Sequence, residues 1–243
     1  MITTVFFDMY GTLAGFSPPR FEVQSEACTE FKIEITREGA IKGYAAADAF
    51  MADENARNPL RLRTKEGKEE FFSQYEQLIL RGNGVKVSLA VARDIWRQVC
   101  KIPHSLKAFD DVAPALSVLK ARQLTLGLIS NIARNGDELV ADLGLTDQID
   151  FTVTSADVGV EKPNPAIFAA ALSKAVAEPH ETVHVGDQPT SDIEGALAVG
   201  IRPVLLDRDG IHPGYNRCPR AETLTDIPDL LKAYPNQHTE PNS

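Results

Sequence analysis

Cysteine is scarce: the 243 residues include three, Cys28, Cys100 and Cys218. They are far apart, odd in number and form no CxxC pair. That argues against a disulfide framework and for a reduced, intracellular setting with buried or incidental thiols. Long basic runs are also missing and the net charge is −9, so a nucleic-acid partner is not expected. A chain this acidic that binds anions must gather its few cations at the site. No apolar run approaches the roughly 20 residues of a membrane helix. The N-terminus has no basic stretch followed by an apolar run and a small-residue cleavage site. The expectation is a soluble, cytoplasmic protein with no membrane partner. Internal repeats and low-complexity segments are absent as well.

What is present begins at the first strand. Val5-Phe6-Phe7 is short, β-branched and aromatic, and apolar on both faces, as suits a strand inside a parallel sheet. Asp8 follows where the strand should emerge, and ligands of open α/β sheets gather at the carboxyl ends of strands. Gly11 permits a sharp turn, and Thr12 can hydrogen-bond the turn or a ligand. From these residues alone Asp8 is either a nucleophile or an aspartate capping a loop. Hydrophobic residues make up 43% of the chain, enough for a real core, and the length suits one large domain or a core with a smaller insert.

Ala14 to Arg20, with Pro18 and Pro19, reads as a hinge. From about 21 to 102 helical patterns replace strands: Phe21 to Ile33, Tyr44 to Met51, Lys65 to Leu80, and Ser88 to Cys100 with Ser88 as N-cap and Val91, Ile95, Trp96 and Val99 inward. After Phe109 strands and helices alternate. Strands are expected at Leu124 to Ile129, Phe151 to Thr154, Thr182 to Val185 and Pro203 to Leu206. Helices are expected at Val112 to Arg122, Gly136 to Leu143, Asn164 to Val176 and Ser191 to Val199. Such alternation predicts a parallel sheet with right-handed crossovers. A loop over 208 to 222, a short helix near Ile227 to Tyr234 and a frayed polar tail from Pro235 to Ser243 complete the reading. The fold class is therefore α/β: a Rossmann-like parallel sheet with helices on both faces, formed by 1–14 and 106–243, interrupted by an all-helical insert over 15–105.

Polar residues recur where these strands end: Asp8, then Ser130 and Asn131, then Lys162 in Glu161-Lys162-Pro163, then Gly186-Asp187 with Asp192 five residues on. Each alone reads as a turn or surface residue; their coincidence at one rim does not. Together, Asp8-Met9-Tyr10-Gly11-Thr12-Leu13, Ser130-Asn131, Lys162-Pro163 and Gly186-Asp187 with Asp192 resemble the four motifs of the haloacid dehalogenase-like hydrolases. The match covers about 1 to 14 and 108 to 207, and the insert stands where that superfamily carries its first type of cap. The resemblance implies that Asp8 attacks the substrate and is covalently loaded. It also implies that Mg²⁺ is held by Asp8, the Tyr10 carbonyl and Asp187. Asp192 would be a further ligand, or a group that orients Lys162 or a metal-bound water. Ser130 and Asn131 would hold the transferring oxygens, Lys162 would stabilise their charge, and Thr12 would line the substrate position. The cap would set specificity and exclude water from the loaded Asp8, with hinges near Gly15 to Pro19 and Pro103 to Phe109.

The sequence departs from the family's phosphatases at Tyr10. They carry there a second aspartate that protonates the leaving alcohol, help worth roughly 10²–10⁴ in rate. A tyrosine at this position resembles the 2-haloacid dehalogenases, whose halide leaves without a proton or a metal. Against that branch stand Asp187 in the fourth motif, and Phe168 where the dehalogenases place a tyrosine. Their substrate-binding arginine should lie in the early cap, where Arg37 is the nearest candidate. The expected function is a Mg²⁺-dependent phosphatase acting on a small phosphorylated metabolite with a good leaving group, as a monomer or homodimer. The alternatives are a 2-haloacid dehalogenase and a non-catalytic binding protein on the same fold. His184 reads as a core or rim histidine, and Phe71, Phe72, Tyr75 and Trp96 as the core of the cap. Arg57, Arg61, Arg63 and Lys65 read as a solvated face, or as a basic stretch that guides an anionic substrate.

Overall fold

The structure, a computed structural model, describes residues 1–232 and 234; the tail expected to fray, Pro235 to Ser243, lies outside the described residues. The chain divides into two compact units: Met1–Ala14 with everything from Ala108 onward, and Gly15–Lys107 between them.

The strands of the first unit are β1 (Thr4–Phe7), then, beyond the two-stranded pair β2 (Ala14–Ser17) and β3 (Ser105–Ala108), β4 (Thr125–Ser130), β5 (Phe151–Thr154), β6 (Thr182–Gly186), β7 (Arg202–Leu206) and the two-residue β8 (Arg220–Ala221). The six-stranded sheet runs β5-β4-β1-β6-β7-β8. Every pairing is parallel, so all the carboxyl ends reach one rim. β1 sits in the middle and is fully buried, which explains why it carries no polar alternation. In register, Phe6 lies beside Gly127 and His184. A Cβ on Gly127 would stand 2.4 Å from the Phe151 ring, so the glycine makes room for that ring, which meets Phe6 edge-on at 5.9 Å.

Helices cover both faces of this sheet. In the second unit the helices are α1 (Arg20–Thr29), α2 (Arg37–Arg57), α3 (Lys65–Gly82) and α4 (Leu89–Val99); the first unit adds α5 (Val112–Ala121), α6 (Gly136–Asp142), α7 (Ser155–Val158), α8 (Pro165–Ala175), α9 (Gly195–Ala198) and α10 (Ile227–Lys232). Ile167, Phe168 and Ala171 of α8 and Ala196 of α9 close one core with Phe6, Ile129 and Val153. Leu116 and Leu119 of α5 are fully buried as well, and α5 packs on β4.

Several elements differ from the sequence reading. Ala14 to Arg20 is not all hinge: β2 pairs with β3, a partnership between segments so distant that local pattern cannot reveal it. The helix expected to begin at Tyr44 begins at Arg37, where the Thr36 hydroxyl caps Gly39 N. Gly39 and Gly43 hid this turn, because glycine is a poor helix former. Their reason is contact: a Cβ on Gly43 would stand 2.2 Å from the Ile79 carbonyl oxygen, so α2 and α3 touch backbone to backbone. In α4, Ser88 caps Val91 N as expected, and Ala92, Ile95 and Val99 are buried, but Val91 faces outward. The helix expected over Ser191 to Val199 opens as a wide π turn over Pro189–Glu194. Phe71, Tyr75 and Tyr44 do form a buried core in the second unit, with Phe72 stacked on Trp96 at 4.4 Å. Among the described residues no helix is long and apolar enough to cross a membrane.

Candidate active site

β1 delivers Asp8 to the rim, and the Asp8 N–H continues the ladder by donating to the Val185 carbonyl at 2.9 Å. The chain then turns back: Leu13 N and Ala14 N both donate to the Met9 carbonyl, at 2.8 and 2.9 Å. Gly11 makes the turn possible in two ways. Its φ is +82°, and a Cβ there would stand 2.3 Å from Asp187 Oδ2. The backbone beside the half-buried Tyr10 thus lies directly against the Asp187 carboxylate.

Lys162 comes from the loop between α7 and α8, yet its head is in the middle of the site and 4% of the residue is exposed. Its ammonium donates to Asp8 Oδ1 at 2.5 Å, to Asp192 Oδ1 at 2.6 Å and to the Ile129 carbonyl at 3.0 Å. All three donor positions are thereby filled. Asn131 holds the lysine's backbone from both sides: Lys162 N donates to Asn131 Oδ1 at 2.7 Å, and Asn131 Nδ2 donates to the Lys162 carbonyl at 3.0 Å. Ser130 ends β4 at the same rim and is buried.

Asp192 stands in the π turn, pressed against Gly186, where a Cβ would come within 2.2 Å of its carboxyl carbon. Its Oδ1 accepts from Lys162 and faces His184 Nε2 at 3.0 Å, while its Oδ2 accepts from Gln188 N at 3.0 Å. Both oxygens are therefore engaged within the protein.

Electrostatics follow from burial and pairing. Burial pushes the Asp8 carboxyl up to about 6, against the pull of Lys162. Burial alone would lower Lys162, but the Asp192 and Asp8 carboxylates reverse that and hold the ammonium above its ordinary value. For Asp192, too, burial is overcome: Lys162 and the His184 hydrogen bond keep its carboxyl below the usual range. Burial lowers His184.

One ligand atom from each of Asp8, Asp187 and Asp192 can be chosen so that all lie within 4.8 Å of one another. Three carboxylates against one lysine leave negative charge at the rim, and hard oxygen donors of this kind suit Mg²⁺ or a similar divalent ion. The close seat of Asp187 on Gly11 fits the same purpose, because it brings the carboxylate to the loop that follows Asp8.

Some expected residues stand elsewhere. The Thr12 side chain is fully buried and its hydroxyl has no hydrogen-bond partner among the described residues. Its carbonyl is the engaged group, accepting from the Arg208 guanidinium at 2.9 Å. Arg208, which sequence reading passed over, also makes a two-point pair with Asp111 at 2.8 and 3.0 Å. No local pattern marks such a residue, since its role depends on meeting Thr12 and Asp111 from a distant loop. Phe168 is fully buried edge-on to His184 at 5.3 Å. Arg37 is exposed on the first turn of α2. In the basic stretch, Arg57 pairs with Asp53 and Arg63 with Glu54. Asp207, at the end of β7, resembles Asp187 in sequence but serves its own loop, accepting from Ile211 N, His212 N and Arg220.

Residues 2–200 match a family model described as haloacid dehalogenase-like hydrolase. Haloacid dehalogenase-like hydrolase domain-containing protein 3 of Mus musculus is 36% identical over 140 residues, 54% of this chain and 55% of that protein. The match thus spans little more than half of that relative's length. Glyceraldehyde 3-phosphate phosphatase of Methanopyrus kandleri is 30% identical over 212 residues, covering 86% of this chain and 85% of its own. Among solved structures, a 2-haloacid dehalogenase from Pseudomonas syringae pv. Tomato DC3000 aligns over 97% of this chain and 100% of its own, with a TM-score of 0.58 at 26% identity.

Proposed function

We propose that this chain, which belongs to the haloacid dehalogenase-like hydrolases, is a Mg²⁺-dependent phosphohydrolase that acts on small phosphorylated molecules through Asp8. The observation that carries this reading is the carboxylate of Asp187 beside that of Asp8. A second acid at the nucleophile repels an anionic substrate unless a cation lies between them. A 2-haloacid, itself a carboxylate that needs no metal, has no use for it. Asp8, the Tyr10 carbonyl and Asp187 are the groups assigned to the ion. Asp192, with both oxygens in use, is assigned to Lys162 instead. Bound Mg²⁺ supplies charge neutralisation for the phosphoryl group.

In the first step an Asp8 oxygen forms a bond to phosphorus while the bond from phosphorus to the leaving oxygen breaks, and the leaving group departs with the electron pair. Water then forms a bond to the phosphorus of the aspartyl phosphate while the bond from phosphorus to the Asp8 oxygen breaks, and the electron pair returns to the Asp8 carboxylate. Inorganic phosphate leaves with the protons of the water, releasing to solvent those that its ionisation at the working pH requires. Lys162 keeps Asp8 in place and faces the charge that develops on the transferring oxygens; Ser130 and the Asn131 backbone amide are assigned to those oxygens. Tyr10 stands where the family's phosphatases carry a carboxyl acid, and a phenol is inherently a much weaker acid than a carboxyl, so departure of an alkoxide gains little help. The substrates favoured are therefore acyl and aryl phosphates rather than alkyl esters.

Tyr10 itself favours the second reading, a 2-haloacid dehalogenase, as does the likeness to the Pseudomonas syringae enzyme. One set of assays separates the two. With Mg²⁺, acetyl phosphate and p-nitrophenyl phosphate are expected to release phosphate faster than alkyl phosphates, and Asp8→Asn is expected to abolish the release. Halide release from 2-chloropropionate without metal would replace this reading with the dehalogenase. Neither activity from a folded, Mg²⁺-binding chain would mark a binding protein. Equal kcat on alkyl and aryl esters would refute the role given to Tyr10.

A further inference from the structure

His184 stands in the middle of β6, fully buried, with Phe6 and Pro203 as its neighbours in register. The Phe168 ring meets it edge-on at 5.3 Å. Nothing in the reaction above uses it. Yet its Nε2 lies 3.0 Å from Asp192 Oδ1, the same oxygen that takes the Lys162 ammonium at 2.6 Å. We propose that His184 is a positioning residue: its neutral imidazole donates the Nε2 proton to Asp192 and so holds the carboxylate that aims Lys162 at Asp8.

The protonation state follows from the two ring nitrogens. Nδ1 is buried and has no hydrogen-bond partner among the described residues. A proton on Nδ1 would turn the bare lone pair of Nε2 toward a carboxylate oxygen, an unfavourable contact, and would bury an unmatched N–H besides. An imidazolium would bury a charge with one of its two donors unmatched. The tautomer with its proton on Nε2 satisfies Asp192 and leaves only an acceptor unpaired. This agrees with the downward pull of burial on the His184 pKa.

A neutral donor is the useful kind here. The buried set already holds two carboxylates and one ammonium, Asp8, Asp192 and Lys162. A second cation on Asp192 would compete with Lys162 for its oxygen, whereas a neutral N–H restrains the carboxylate without changing the charge that Lys162 feels. The other restraints are the Gln188 N–H on Oδ2 and the backbone of Gly186 behind the carboxyl carbon. Without the histidine the Oδ1 side is held by Lys162 alone, and carboxylate and ammonium can turn together away from Asp8. The consequence for turnover rests on the phosphohydrolase reading; the tautomer does not.

Two measurements on the full chain test this. In ¹⁵N-histidine NMR of the wild-type protein, His184 is expected as the neutral form with its proton on Nε2. A proton on Nδ1, or on both nitrogens, overturns the proposal. In steady-state hydrolysis of p-nitrophenyl phosphate, His184→Phe keeps a ring of similar shape and removes the donor. Its kcat is expected to fall at least tenfold while KM stays within twofold. His184→Gln returns an N–H near the Nε2 position and is expected to recover most of the loss. Equal kcat in wild type and His184→Phe, or equal loss in the two variants, overturns it. A wild-type chain with no phosphatase activity overturns the reaction assigned above, and the NMR result then decides the placement of His184 by itself.

Discussion

Individual residues of the site were legible where chemistry and position coincide. Asp8, Ser130, Lys162 and Asp187 each follow a strand or its loop, and a parallel sheet sends those ends to one rim. Asn131 was less so: its side chain holds the Lys162 backbone, a task that shows only when two loops meet. Glu76 was passed over altogether. It is fully buried in α3, where Oε1 accepts from Gln24 Nε2 at 2.5 Å and Oε2 has no hydrogen-bond partner among the described residues. Burial pushes its carboxyl up to about 8 from an ordinary 4.5. Between those two values the unfolded chain has released the proton and the folded chain still holds it. The contribution of Glu76 to stability is therefore fully present below about 4.5, falls as pH rises, and is lost once pH passes about 8. Glu76→Gln is expected to leave stability near pH 5 almost unchanged. Near pH 9 it should raise stability by a few kcal/mol, since one pKa unit is worth about 1.4 kcal/mol. Urea unfolding at the two values checks both the sign and the size.

Among elements, the strands with apolar runs were read close to their true bounds, because burial on both faces leaves a dense local signal. What the pattern missed depends on a partner. The β2–β3 pair joins residues far apart in sequence, and the first two turns of α2 are disguised by glycines that exist for the neighbouring helix. That disguise has a measurable cost of removal. Gly43→Ala places a methyl group 2.2 Å from the Ile79 carbonyl oxygen. Ala is the better helix former by about 1 kcal/mol, yet the clash with backbone is expected to outweigh this and lower stability by roughly 1–3 kcal/mol. Chemical denaturation decides it: a stabilised Gly43→Ala would mean that α2 and α3 part without penalty. The π turn at Pro189–Glu194 was missed for a similar reason. Its wider ladder sets Asp192 against Gly186, and an apolar period carries no trace of that.

At the scale of the whole molecule, the net charge of −9 is consistent with a site whose one buried ammonium is outnumbered by carboxylates. On the proposed reading, a divalent ion bound by Asp8 and Asp187 would stabilise the folded chain by mass action, by about 2.7 kcal/mol at a concentration 100 times Kd. Thermal unfolding is expected to shift upward with Mg²⁺ in the wild type and to stay flat in Asp187→Asn. A shift that survives this substitution would place the ion elsewhere. The sheet also has a history written into its order. β1 is its central strand, but the neighbours on either side, β4 and β6, follow it by more than a hundred residues. At about 5–20 residues per second, a nascent Thr4–Phe7 waits on the order of ten seconds on the ribosome, aromatic and unpaired, while Gly15–Lys107 emerges as one contiguous stretch. The segment that carries Asp8 is thus made long before the strands that house it, and it is where a holdase would be expected to grip the growing polypeptide.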